Sequence, residues 1–461
     1  MRRALALALL VPAMVACQGE TSLALYVVTP DGGSPFVGAG AATEARLRLE
    51  DNRTAPQRSA VAANGAFTFD LVLTSGGTAD PFRAVLEARN GDTLVGWGAT
   101  PALRWSLLGP TFLPIFVQRR DSVVEAPWGR VTPRLRPFVA EIENHFVVML
   151  GGASATSRVE VLNLTQLAPA NGGAAIDDAF NRDASVLRLS NGQFMLVRGC
   201  QALVWNPADN AAAMPATDAL PPGARCSIVG STAVQDPAGG GWLLGGRDAA
   251  GPSTRVDRLG GNGRWSMTEP LQVGRDAPAA LRVGPSELLV AGGQGGAEAP
   301  TFERYNVSLP AGERLLRSGA SGVDARTELS LVALNDGVAL ALGGRVAGST
   351  DLVADDLLID LRCLEGGCAW LAARGGYLRQ RRRGASAALS EGDRVVVAGG
   401  EAAGGGVADA VEHLDVSAPR APQGLGPVGS LPFAGLVTAR LSTGAVLITG
   451  GNQNSAWFYR H

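Results

Sequence analysis

An all-β fold with an internal repeat is predicted by three features of the sequence. Gly (61) and Pro (27) together make up about a fifth of the 461 residues, which suits short strands and turns and disfavours long helices. From Phe146 onward a short apolar run ending in a glycine pair recurs, the first glycines being Gly151, Gly245, Gly292, Gly343, Gly399 and Gly450, with a degenerate copy at Gly199. Residues 20 to 120 lack that repeat but carry strand-length apolar runs separated by Gly, Asn, Asp and Pro. With 46% apolar and 18% charged residues the chain has the material for packed domains and is too apolar for a disordered tail.

The elements follow in chain order. Arg2 and Arg3 precede an apolar run from Ala4 to about Val15, too short for a helix crossing a bilayer of about 30 Å, so residues 1–17 are predicted to be a cleaved secretory signal. The run ends in Met14, Val15, Ala16 and Cys17 and resembles the bacterial lipobox, which implies lipidation of Cys17. In lipoproteins of that kind Gln18, in place of aspartate, implies the outer membrane. No other stretch is long and apolar enough to span a membrane.

Between residues 20 and 120, strands are predicted at Leu23 to Val28, Ala45 to Leu49, Ala66 to Leu73, Phe82 to Ala88 and Thr93 to Trp97, with Asn90 and Gly91 as a hairpin signal. That density predicts a small β-sandwich. The run from Asn64 to Phe69 resembles a segment of small immunoglobulin-like or carboxypeptidase-regulatory-like domains.

The remainder, residues 121–461, is the repeat. Its steps from glycine to glycine are 48, 46, 47, 51, 56 and 51 residues, the period of one supersecondary unit. Upstream of each run lies a possible strand, such as Ala279 to Val283, and downstream another, such as Phe302 to Val307; a fourth sometimes carries a tryptophan, as at Trp265 and Trp370. Apolar strand, glycine pair, strand, tryptophan strand: this pattern resembles kelch repeats and implies a propeller of four-stranded blades. Such a sheet cannot hide both faces alone, and radial stacking covers them. Seven blades are expected, six being the alternative if the copy at Gly199 is an insertion. The last unit lacks a fourth strand, and Ser122 to Arg130 could supply it and close the ring.

Composition excludes several chemistries. There is no lysine, all 40 basic residues being arginine, so a P-loop lysine and a Schiff base are ruled out. Three histidines, His145, His413 and His461, make a histidine-rich metal site hard to build. Kelch-type rings include galactose oxidase, whose copper site uses tyrosines, histidines and a cysteine linked to a tyrosine. Four tyrosines, Tyr26 of them outside the ring, do not match that need, and neither metal nor cofactor is expected. A formal charge of −2 gives no field for nucleic acid.

Cys200 with Cys226 and Cys363 with Cys368 are expected as disulfides in an oxidising compartment, zinc ligation being the alternative for the second pair. Arg225, Arg275, Arg326 and Arg383 each lie just before a first strand, and with Arg381 and Arg382 they form an arginine-lined face able to grip carboxylates, phosphates or sugar acids; alternatively they cap carbonyls between blades. The sequence thus predicts a monomeric, non-enzymatic envelope lipoprotein presenting this face to a protein or glycan. The alternative is a propeller-type carbohydrate-active enzyme, galactose-oxidase-like or sugar-processing.

Overall fold

The computed structural model describes residues 25–50, 55–69, 81–104, 113–143, 145–152, 159–170, 176, 180, 184–208, 213–216, 225–293, 302–318, 326–363 and 371–461. The fold is all-β and propeller-like. Among the described residues there are seven four-stranded antiparallel sheets, six of them built from strands consecutive in their unit: the fourth, for example, runs Ala279–Gly284, Glu287–Ala291, Phe302–Asn306, Leu315–Ser318. The seventh combines Leu436–Arg440, Val446–Gly450 and Trp457–Arg460 with Ser122–Glu125, whose Val124 lies opposite Phe458.

Each apolar run before a glycine pair is the second strand of its sheet, buried on both faces. Alternation decides where its side chains go. In Phe146–Leu150, Val148 and Leu150 pack on Phe194 and Leu196 of the second sheet, whereas Val147 and Met149 pack on Leu447 and Phe458 of the seventh. The same relation joins second to third through Leu187 and Leu243, third to fourth through Trp242 and Val290, and fourth to fifth through Leu289 and Ala341. It continues from fifth to sixth through Leu340 and Val397 and from sixth to seventh through Val396 and Ile448. Consecutive sheets therefore share apolar clusters, and the first also shares one with the seventh. Each fully buried Leu or Val contributes roughly 1.5–3 kcal/mol.

The glycine pairs sit where chains crowd. Gly343 (φ 60°) and Gly344 (φ 101°) occupy backbone angles that favour glycine, and a Cβ at Gly343 would lie 2.4 Å from the Arg382 carbonyl oxygen.

The N-terminal unit differs in part from expectation. A five-stranded sheet runs in the order Gln57–Ala60, Glu44–Leu49, Ala84–Asn90, Thr93–Ala99, Gln118–Arg119, and Leu25–Val28 pairs in parallel with Leu113–Phe116. Ala66 to Phe69 is not a strand, and the rest of that predicted strand to Leu73 lies outside the described residues; Phe67 and Phe69 instead fill the core as loop residues beside Phe36. Gln57–Ala60, too polar to be noticed, takes the edge of the sheet.

This unit is fastened to the ring. Arg83 forms two hydrogen bonds with Glu391 at 2.8 and 3.1 Å, Trp97 Nε1 donates to the His461 carbonyl at 2.6 Å, and the Arg460 guanidinium lies 4.7 Å from the Trp97 ring centre.

Cys200 and Cys226 form a disulfide between the second sheet and the segment leading into the third. Cys17, with the whole signal region, and Cys368 lie outside the described residues. No helix among the described residues is long and apolar enough to cross a membrane.

Candidate functional site

The arginines before the first strands turn inward. Arg225, Arg275, Arg326 and Arg382 are all 1–2% exposed, and each meets a carboxylate at or just before the third strand of its own sheet. Arg225 reaches Asp257 at 2.5 Å, Arg275 reaches Glu303 at 2.7 Å, Arg326 reaches Asp355 at 2.6 Å and Arg382 reaches Glu412 at 2.5 Å. Burial demands such pairing, because an unpaired charge in a low-dielectric interior is costly. For Arg225 and Arg382 burial draws the guanidinium below its ordinary range, against the carboxylate that favours its charged form.

The same arginines bind the glycine turns. Arg275 donates to the Gly292 carbonyl and Arg382 to that of Gly399 at 3.1 Å, each seventeen residues ahead. Arg134, unnoticed in the sequence, does the same to Gly151 at 2.7 Å, and its sheet carries Glu160 near it. The acids also grip the leading segment: Glu303 accepts the Gln272 N–H at 2.7 Å, and Glu412 accepts the Arg379 N–H at 2.6 Å. The reading of Arg225, Arg275, Arg326 and Arg382 as an open ligand face is therefore corrected. Apart from Arg326 Nε, the bonds of their buried guanidinium groups go to the protein's own carboxylates, carbonyls and side chains.

Arg381 and Arg383 remain outside. Arg381 is exposed, and Arg383 is a quarter exposed. A backbone feature recurs just beyond the buried arginine. Two residues after Arg134, Arg275, Arg326 and Arg382 come Arg136, Ala277, Glu328 and Gly384, all at positive φ: 52°, 46°, 56° and 61°. There the backbone turns away from the buried arginine and into the first strand.

Around that turn a mixed-charge cluster forms. Arg383 meets Glu401 at 2.5 Å and Glu328 at 3.6 Å, and Arg345 meets Glu328 at 2.9 Å. The Gly384 N–H donates to the Glu328 carbonyl at 2.7 Å. Arg136 comes from the segment leading into the first sheet, yet a Cβ on Gly384, before the sixth, would stand only 2.6 Å from its Nη2. Sheets one and six do not share an apolar cluster, so here the segments leading into two separated first strands meet. Arg136 donates its own N–H to Gly435 O at 2.9 Å, from the segment leading into the seventh sheet.

A second polar cluster lies at the seam where the chain ends meet. Asp121 accepts from Tyr459 Oη at 3.0 Å and from His461 Nδ1 at 2.8 Å, with His413 Nδ1 3.5 Å away and itself 2.9 Å from Tyr459 Oη. Burial pushes the Asp121 carboxyl up, but these donors outweigh it and hold the group well below the usual carboxylate range. Burial and the adjacent carboxylate push the Tyr459 phenol well above its usual range. His145 stands apart at the surface, against the Glu143 carbonyl. Asp351, Asp355 and Asp356, which could have gathered a cation, are engaged separately by Ser349, Arg326 and the Gly343 N–H.

A comparison with protein-family models finds no match, and a comparison with curated proteins finds none. Among solved structures, a fungal alcohol oxidase of the AA5 family in complex with copper is similar, with a TM-score of 0.51 and 12% identity over 73% of this chain and 75% of the oxidase. The structure of YjhT aligns with a TM-score of 0.42 and 13% identity, over 63% of this chain and 97% of that one. What is shared with the oxidase is the fold. It corrects the expectation that the chain is not an enzyme, since a ring of this kind serves an oxidase. The absence of lysine excludes the chemistries that need it, whereas arginine and glutamate remain.

The residues do not fit copper. The seam comes nearest, with two histidines and a tyrosine around one carboxylate, but Arg120 Nη2 lies 2.8 Å from His461 Nε2 and 3.3 Å from Nδ1, placing a fixed cation against the ligand. Among the described residues no group of three or more His, Cys, Asp or Glu is arranged to hold a metal ion.

Proposed function

We propose that this chain is a propeller-type carbohydrate-active enzyme, working at the mouth of a closed, seven-bladed, kelch-type ring and held at the cell envelope by a lipid on Cys17. The observation that carries the reading is the convergence of Arg136, Arg345 and Arg383 with Glu328 and Glu401 on one spot at the inner mouth. Glu328 acts as base toward a sugar hydroxyl, and the guanidinium groups of Arg345 and Arg383 stabilise the oxyanion that results.

The test is turnover. A panel of oligosaccharides incubated with the full chain and followed by proton NMR should show one converted by the wild type and left unchanged by Glu328→Gln, which keeps the side-chain shape. Equal conversion by Glu328→Gln, or no conversion of any sugar, overturns the reading.

A further inference from the structure

We infer that the sugar taken at this mouth carries a carboxylate, and that Arg136 is the residue that grips it; this rests on the mouth being the working site. The argument is one of charge and commitment. Within the cluster three guanidinium groups face two carboxylates, on a chain whose formal charge is −2 overall, so the spot is locally cationic by one charge. Arg345 and Arg383 are committed to Glu328 and Glu401. Arg136 is exposed and makes no ion pair among the described residues, while Arg381 adds a second exposed guanidinium one residue from Arg383.

The backbone supports the same assignment. Arg136 sits at φ 52° where its counterpart in the sixth segment is Gly384, so the arginine occupies a conformation that glycine would adopt without strain. Gly384 in turn leaves room for the guanidinium, since a methyl there would press to 2.6 Å of Nη2. An exposed guanidinium with no ion pair among the described residues can present two parallel N–H donors, the geometry that matches a planar carboxylate. A uronate is the sugar that supplies one.

Calorimetry on the full chain distinguishes the outcomes. A galacturonate trisaccharide should bind the wild type in a salt-sensitive manner, and a neutral galactose trisaccharide should bind at least about tenfold more weakly. Arg136→Ala should lower affinity for the acidic sugar by about tenfold or more with an unchanged melting curve, and Arg136→Lys should recover only part of it, having lost the fork. Equal affinity in Arg136→Ala, equal affinity for the neutral sugar, or no binding of galacturonate overturns the inference. Glu328→Gln separates the two claims: if galacturonate binds through Arg136 but is never converted, only the enzymatic reading fails. If a neutral sugar is converted in a Glu328-dependent way, only the carboxylate inference fails.

Discussion

Two sets of arginines one or two residues apart in the repeat behave in opposite ways. Arg134, Arg275, Arg326 and Arg382 are buried and bonded into their own sheet, whereas Arg136 and Arg383, one or two positions on, stand at the surface of the mouth. Residue type does not set the role; position against the positive-φ residue does, which is Arg136 itself in one segment and Gly384, just after Arg383, in the other. Interior arginines stabilise the ring through carboxylates and glycine carbonyls. Those at the mouth sit on strained backbone or in exposed pairs that contribute little to stability.

The largest break in that comparison comes from inside. Arg275→Ala leaves Glu303 buried without its cation and should cost about 3–5 kcal/mol, read as a lower urea midpoint. Arg275→Met with Glu303→Met should recover part of the loss, because two apolar groups need no pairing. Recovery stays incomplete, since Tyr305 Oη loses its acceptor and the Gln272 N–H loses one of its two. A midpoint unchanged by Arg275→Ala would place these pairs with the weak surface ones.

Next in size is the disulfide between the second and third sheets. Cys200 and Cys226 close a loop with a sequence separation of 26, so Cys200→Ser with Cys226→Ser should cost about 3 kcal/mol in the chain-entropy account. Denaturation of the double variant beside the reduced wild type checks it, and the two should coincide if Cys200–Cys226 dominates the redox sensitivity.

The seam makes a third test, through pH. Asp121 has a lowered pKa in the folded chain, so as pH falls below the ordinary Asp range the unfolded chain takes up a proton that the folded chain refuses. Its contribution is thus present above that range and lost as pH falls toward the folded value. Asp121→Asn should lower stability at pH 7 and flatten the decline below about pH 4. Parallel pH profiles for the two proteins would remove Asp121 from the account.

How much of this the sequence carried depends on distance along the chain. The glycine pairs were legible because turn and strand lie within a few residues of each other, and the recurrence of arginine before the first strands was visible too. Its burial was not. The partner acids follow at separations of 32, 28, 29 and 30 residues, a drift that hides the pairing from any fixed-spacing pattern. The seventeen-residue step from Arg134, Arg275 and Arg382 to a glycine carbonyl is constant and would have found Arg134. Asp121, His413 and His461 come from segments about 300 residues apart or on different sheets, and no local signal joins them. Gln57–Ala60 failed for another reason: an edge strand needs no apolar face to pair.

The smallest expected effect sharpens the comparison most. Ala277 occupies the same turn as Arg136 and Glu328, at φ 46°, is exposed, and has no side-chain bond to lose. Ala277→Gly should therefore stabilise by about 0.5–1 kcal/mol, less the entropy that glycine adds to the unfolded chain. Arg136→Gly relieves the same angle and should gain a similar amount, yet it alone should abolish galacturonate binding. If both variants gain stability and only the second loses ligand, the strain at Arg136 is retained for binding. If Arg136→Gly loses stability instead, the guanidinium over Gly384 is part of the ring's own packing, and the mouth arginine belongs with the interior set.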